Sequence, residues 1–185
     1  MLIDKTEQQQ IEHLKILQDT KLILDKYKIK NVLSGSALLG MHRDGNLIPW
    51  CHGVVLIVFY DEKLVSLAES IVEDLKQQDF KIVRFSNKKN NWKIRAGKGQ
   101  LNIEIMGYSK EGDFYYRKAN KRERNIPSRF FDEPLGEITM NDGNTYPCPE
   151  DIEGYLDHLY VTWETPIRTD SRADYRSPKF IRKII

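Results

Sequence analysis

Cysteine is scarce in this chain. Cys51 and Cys148 are the two present among 185 residues, far apart and in no metal-like spacing. That excludes a disulfide scaffold and fits a reducing compartment. Long hydrophobic runs are missing too. No window approaches the ~20 apolar residues that span a bilayer, and Met1–Glu7 holds no apolar core of signal-peptide length. The expectation is a cytoplasmic protein without a membrane span. Charge of one sign is also absent: 29 basic and 27 acidic residues leave a formal +2. No global field argues for nucleic acid, and an RNA-binding reading rests on local charge alone. There is no repeat, linker or low-complexity segment.

What is present is 40% hydrophobic and 30% charged residues, the balance of a globular chain long enough for a sizeable core. We read residues 1–185 as one domain. Residues 5–28 form an amphipathic helix on Ile11, Leu14, Leu17, Ile23, Leu24 and Tyr27. Asn31-Val32-Leu33 is a short strand entering a Ser34-Gly35-Ser36 turn, and Ala37-Leu38-Leu39 starts a helix that ends near Asp44-Gly45-Asn46. The unbroken apolar run Val54–Tyr60 reads as a strand buried on both faces. Asp61–Gln78 is a second amphipathic helix, and Phe80–Phe85 alternates as a half-buried strand. Trp92–Arg95 and Leu101–Met106 are strands around Gly97-Lys98-Gly99. After Gly107 the expectation is irregular chain with short strands at 114–116, 136–140 and 144–146, and a hairpin turn at Asn141-Asp142-Gly143. Pro149, Glu150 and Asp151 open a last helix with Ile152, Tyr155, Leu156 and Leu159 on its apolar face. Helix, strand, helix, strand and meander make an α+β fold with a mixed sheet and flanking helices.

Two local clusters of positive charge stand out: Arg117-Lys118 with Lys121-Arg122-Glu123-Arg124, and a tail over 168–185 carrying Arg168, Arg172, Arg176, Lys179, Arg182 and Lys183 against Asp170 and Asp174. Our reading of both is solvated surface, with binding of phosphate-bearing ligands as the alternative. Gly35-Ser36 at a helix start would be a plain capping turn on local chemistry alone. The same turn can present backbone N–H groups to a phosphate.

The order of pieces carries a resemblance. Gly35-Ser36-Ala37-Leu38-Leu39-Gly40, Arg43 and Ile48-Pro49-Trp50 resemble the LicD/fukutin family of nucleotidyltransferase-fold phosphotransferases. Tyr146-Pro147-Cys148-Pro149-Glu150-Asp151, Tyr155-Leu156, Leu159-Tyr160 and Trp163-Glu164-Thr165-Pro166 look like that family's C-terminal signature. The two matches bracket residues 30–167. The resemblance implies a nucleotidyltransferase-type fold and transfer of a phospho-alcohol, phosphocholine or a polyol phosphate, from a CDP-linked donor to a glycan. It also implies magnesium held by aspartates after Pro-Trp, including an Asp-x-Asp pair. Here Cys51, His52, Gly53 and Val55 occupy those places, and Val161-Thr162 replace the usual Gly-Asp before Trp163. Glu104 is what survives of the acidic set.

Magnesium takes oxygen ligands in octahedral geometry, and Gly53 and Val55 bring no side-chain oxygen. Losing ~4 kcal/mol of metal stabilisation would slow the chemical step about 10³-fold. Cys51 and His52 are softer ligands, and neighbours on a strand point to opposite faces, so Cys51 reads as a small buried residue and His52 as a loop side chain. His42 and Asp44 read as solvent-exposed, Trp50 and Trp163 as packing residues. Two functions follow. In a divergent phosphotransferase, Gly35 and Ser36 contact donor phosphate, Arg43 neutralises it, and Glu104 is the catalytic acid group. In a pseudoenzyme, the fold persists as a scaffold or nucleotide-binding partner. Either reading expects Glu104 to face the Gly35-Ser36 turn from a strand beside Val54–Tyr60.

Overall fold

The computed structural model describes residues 4–51, 53–119, 122–169, 171 and 174–183. His52, Lys121, Asp170 and Arg172, singled out above, lie outside the described residues, as do the side chains of Arg122, Arg182 and Lys183.

The first helix, α1 (Glu7–Lys26), starts at a capping box. The Thr6 hydroxyl accepts from the Gln9 N–H at 3.2 Å, and the Gln9 side chain accepts from the Thr6 N–H at 3.0 Å. Its buried stripe runs from His13 through Leu14, Leu17 and Leu24, whereas Ile11 is exposed. Then come β1 (Asn31–Ser34), α2 (Gly35–Asp44), β2 (Gly53–Phe59) and α3 (Glu62–Gln77). The last begins where the Asp61 carboxylate accepts the Leu64 N–H at 2.6 Å. The remaining strands are β3 (Lys81–Ser86), β4 (Lys93–Lys98), β5 (Leu101–Glu111), β6 (Phe114–Ala119), β7 (Arg122–Pro127) and β10 (Ile181–Lys183). A separate hairpin of β8 (Gly136–Thr139) and β9 (Thr145–Cys148) precedes α4 (Ile152–Leu159).

The main sheet runs β1-β2-β5-β6-β7-β10, with β4 also paired to β5, and β3 paired to β4. It is mixed: β2 and β5 are parallel and the other pairs antiparallel. The apolar strand is therefore interior, between β1 and β5, as its composition predicts. Its burial differs from the expectation. Val54, Leu56 and Val58 are buried in the core, but Gly53 and Val55, on the other face, are only partly covered. Successive residues point to opposite faces, and one face opens into a pocket.

Two other expectations are corrected. Gly107 does not end the regular structure, because β5 runs on to Glu111. A Cβ at Gly107 would lie 2.7 Å from the Trp92 Cβ, so the glycine marks a close approach to a buried indole and not a break. Likewise the basic stretch is strand where it is described. Arg117, Lys118 and Ala119 end β6, Arg122, Glu123 and Arg124 begin β7, and Arg117 pairs with Arg124. Among the described residues, no helix is long and apolar enough to cross a membrane.

Candidate functional site

A pocket of about 370 Å³ opens where α2 leaves β1. Its floor is the partly covered face of the sheet: Gly53, Val55 and Ile57 of β2, then Asn102, Glu104, Met106 and Tyr108 of β5, then Lys93 and Arg95 of β4. The alternation is that of a pleated strand. Its register places Val55 opposite Glu104 and Glu104 opposite Arg95. Thus Glu104 shares a face and a pocket with Ser36, as the sequence predicts.

The α2 end of the pocket is built from Ser34, Gly35 and Ser36. Ser34 holds the N-cap position in an extended conformation, yet its side chain makes no capping bond. Its Oγ lies instead 2.6 Å from the Tyr155 hydroxyl, in the core. Gly35 has φ of 68°, the left-handed region that favours glycine. The Ser36 hydroxyl donates to the Gly53 carbonyl at 3.3 Å and hydrogen-bonds Cys51, whose thiol is nevertheless pushed up in pKa by burial. A protonated, half-buried Cys51 fits the packing role read from the sequence. The helix start therefore has backbone N–H groups without a side-chain cap, in a pocket wall.

Arg43 also lines the pocket, but its fork is engaged. Nε and NH2 each meet an Asp44 carboxylate oxygen at 2.7 Å, and NH1 donates to the Trp163 carbonyl at 2.8 Å. The Asp44 hydrogen bonds raise the Arg43 pKa against its partial burial. Asp44 is thus paired, not simply solvated. His42 is half-buried, 3.5 Å from Glu153, with its ring tilted 57° to that of Trp163 at 5.5 Å. Trp163 is held by Asp157 at 2.8 Å, a packing role. Trp50 differs: it is half-buried, lines the pocket, and has the Arg168 guanidinium 5.5 Å from its ring.

Glu104 is not an isolated carboxylate. Lys93 Nζ lies 2.9 Å from it and Arg95 Nε 3.7 Å, with the Glu104 side chain 15% exposed. Burial lowers the Lys93 pKa, and Glu104 opposes that shift. Magnesium, which the resemblance implies, is poorly matched to these residues. Gly53 and Val55 face the floor without side-chain oxygens, and the one carboxylate there among the described residues already has two cations. No three His, Cys, Asp or Glu side chains of the described residues come together.

Sequence reasoning missed Lys93 and Arg95 altogether and assigned Arg124 and Arg176 to solvated surface. All four line the pocket. Arg176 stacks on Tyr160 at 4.8 Å and on Tyr175 and Phe180 at 5.5 Å. Arg117 is 1% exposed and pairs across the hairpin with Arg124. Lys118, Arg168 and Lys179 are exposed, as expected. The missed signal was period two: Lys93-x-Arg95 and Asn102-x-Glu104 are same-face pairs on adjacent strands.

Comparison with known proteins agrees with this architecture. The chain is similar to two structures of ANT(2″)-Ia. One is a crystal structure in complex with adenylyl-2″-tobramycin: TM-score 0.52, 11% identity, covering 82% of this chain and 77% of that one. The other is a solution structure of the same antibiotic-resistance factor: TM-score 0.56, 13% identity, covering 92% and 80%. At such identities the likeness shows fold alone. No curated protein sequence matches significantly. Residues 28–151, which include β1, α2 and the whole pocket floor, match the family described as LicD/FKTN/FKRP, nucleotidyltransferase domain. Family and fold together support a function of phosphotransferase/nucleotidyltransferase type. With its mixed sheet and a family match over most of its length, the chain belongs to the LicD/FKTN/FKRP nucleotidyltransferase-domain family.

Proposed function

We propose that this chain binds a nucleotide-linked donor, a CDP-linked alcohol phosphate, in the pocket at the start of α2. The observation that carries this reading is the meeting of three features: an uncapped helix start, Gly35 in the left-handed region, and a floor rich in arginine and lysine. Uncapped N–H groups and the helix dipole favour a phosphate there. Ser36 contributes a hydroxyl beside them. Arg43 acts chiefly by fixing the pocket wall, since Asp44 and the Trp163 carbonyl already occupy its donors. Trp50 offers an apolar flank to the nucleoside or the alcohol.

In the phosphotransferase reading, an acceptor hydroxyl on a glycan displaces CMP from phosphocholine or a polyol phosphate. Glu104 is then the acidic group nearest the transfer. The second reading is a pseudoenzyme that binds the nucleotide without transfer. It is favoured by the two cations beside Glu104, Lys93 at 2.9 Å and Arg95 at 3.7 Å, which already engage the carboxylate that transfer would need.

The test is calorimetric titration of CDP-choline and CDP-glycerol with magnesium present, beside an assay for CMP release with glycan acceptors. Binding with CMP release supports the phosphotransferase, and binding without it the pseudoenzyme. No binding at millimolar ligand overturns both.

A further inference from the structure

The pocket lining carries far more positive charge than the chain as a whole. Among the described residues, Arg43, Lys93, Arg95, Arg124 and Arg176 line it, against the single carboxylate of Glu104, while the full sequence is balanced to +2. The excess is larger just behind the wall. Arg117, 1% exposed, is the cross-strand partner of Arg124. Its NH2 donates to the Asn91 side chain at 3.2 Å, but its buried Nε and NH1 find no hydrogen-bond partner among the described residues. Burial lowers the Arg117 pKa; Tyr108 and Glu104 oppose the shift, and Arg124 and Arg84 add to it. Lys93, lowered by burial, feels Arg117 and Arg124 as well. Like charges gathered in a half-buried space repel strongly and gain most from an anion that enters.

A divalent cation would worsen this repulsion. In its family a metal is expected to offset the charge of a diphosphate, but here five cations line that space against one carboxylate among the described residues. We propose that Lys93, Arg124 and Arg176 neutralise the diphosphate of the bound ligand in place of a metal ion, so that this pocket binds diphosphate-bearing ligands without a divalent cation. Glu104 is then a positioning residue. It aligns Lys93 at 2.9 Å and Arg95 at 3.7 Å, at the expense of some of the pocket's attraction for anions. The inference rests on the reading of the pocket as a nucleotide-diphosphate site.

Four titrations test it: inorganic pyrophosphate and CDP-choline, each in EDTA and in magnesium. Pyrophosphate should bind in EDTA with an affinity within about threefold of that in magnesium, and should weaken at least tenfold between 50 and 500 mM salt, as screened charge pairs do. Arg124→Met and Arg176→Met, which keep side-chain bulk, should each weaken it about tenfold or more. Glu104→Gln is the sharper variant. It should tighten pyrophosphate several-fold, whereas a metal-ligating Glu104 would give looser binding on the same change. Should a variant fail to fold, the wild-type arms decide.

CDP-choline binding in magnesium but not in EDTA overturns this inference and leaves the donor reading intact. Pyrophosphate binding in EDTA without CDP-choline binding supports the cationic cradle and removes the nucleotide donor. No binding in any arm removes both.

Discussion

The Ser34 hydroxyl lies 2.6 Å from that of Tyr155, and both side chains are buried, so the N-cap residue of α2 is bonded to α4 and not to its own helix. A serine in that position ordinarily accepts an N–H bond from the first turn. Diverting it into the core leaves the first-turn donors of α2 to face the pocket. It also ties α4 to the segment on which the proposed phosphate binding rests.

Tyr155→Phe tests that tie. The change removes one buried hydrogen bond and should lower stability by ~1 kcal/mol at neutral pH. Ser34 would then be able to turn and cap α2, and anion affinity should fall. Burial raises the Tyr155 pKa above its ordinary value of about 10. A raised folded-state pKa contributes stability that is intact below pH ~10 and lost above it, as the unfolded chain releases its proton first. The variant should therefore lose less stability than the parent between pH 10 and 11. Tyr108 and Tyr160 are raised by burial too, so the alkaline loss is reduced and not abolished. Melting curves at pH 7 and pH 10–11 for both proteins check each part.

Gly35→Ala asks how much the left-handed turn matters. A Cβ there would meet only the Val55 side chain, Cγ2 at 3.5 Å and Cβ at 3.7 Å, both ordinary contacts. The cost comes from φ of 68° and not from crowding. It should be ~1–2 kcal/mol, read as a lower melting temperature. If the turn relaxes to a negative φ instead, the first N–H groups of α2 re-aim and pyrophosphate affinity drops with little change in melting.

The sequence made the scaffold legible because its signals were local and redundant. Asp61 capping α3, the Asn141–Gly143 turn and the β-branched run in β2 each name their own element. The site was half legible. Gly35, Ser36 and Glu104 converge as read, since they belong to motifs fixed by turn and strand order. Arg124 and Arg176 were read first as solvated surface because burial of a cation depends on what packs over it. For Arg176 that is Tyr160, Tyr175 and Phe180, which join it by a contact between distant strands of chain. For Arg124 it is the strand pairing within a hairpin that reads, residue by residue, as a solvated charge run.

If Arg43 only neutralised donor phosphate, Arg43→Ala would weaken binding and leave stability nearly unchanged. The bonds to Asp44 and the Trp163 carbonyl alter that expectation. The exposed Asp44 pair contributes little, while the bond to Trp163, 120 residues away in sequence, fastens the segment after α4 to α2. The variant should lose ~1–2 kcal/mol of stability, and its pyrophosphate affinity should fall less than that of Arg176→Met. A protein that melts unchanged yet binds tenfold more weakly would return Arg43 to the role of direct phosphate ligand.

The last prediction converts the pocket. Val55 is the register partner of Glu104 on the parallel strand, so Val55→Asp sets two carboxylates side by side on one face. Gly53→Asp adds a third position two residues back along the same face. Its Cβ would sit 3.2 Å from the Asn102 carbonyl, requiring a shift of a few tenths of an ångström. Together the changes should cost ~1–3 kcal/mol, because apolar or empty space becomes charged. The parent should show no tight magnesium site. In the double variant, Lys93 and Arg95 will be shared among three acids, and magnesium can then bind with oxygen ligands from two strands. Its pyrophosphate binding should be lost in EDTA and restored by magnesium, the reverse of the parent's indifference to the metal. Calorimetry of both proteins with and without magnesium, beside a melting curve for each, reads the exchange. Micromolar magnesium affinity in the parent would mean that other groups hold the metal and that the cations of the floor do not replace it.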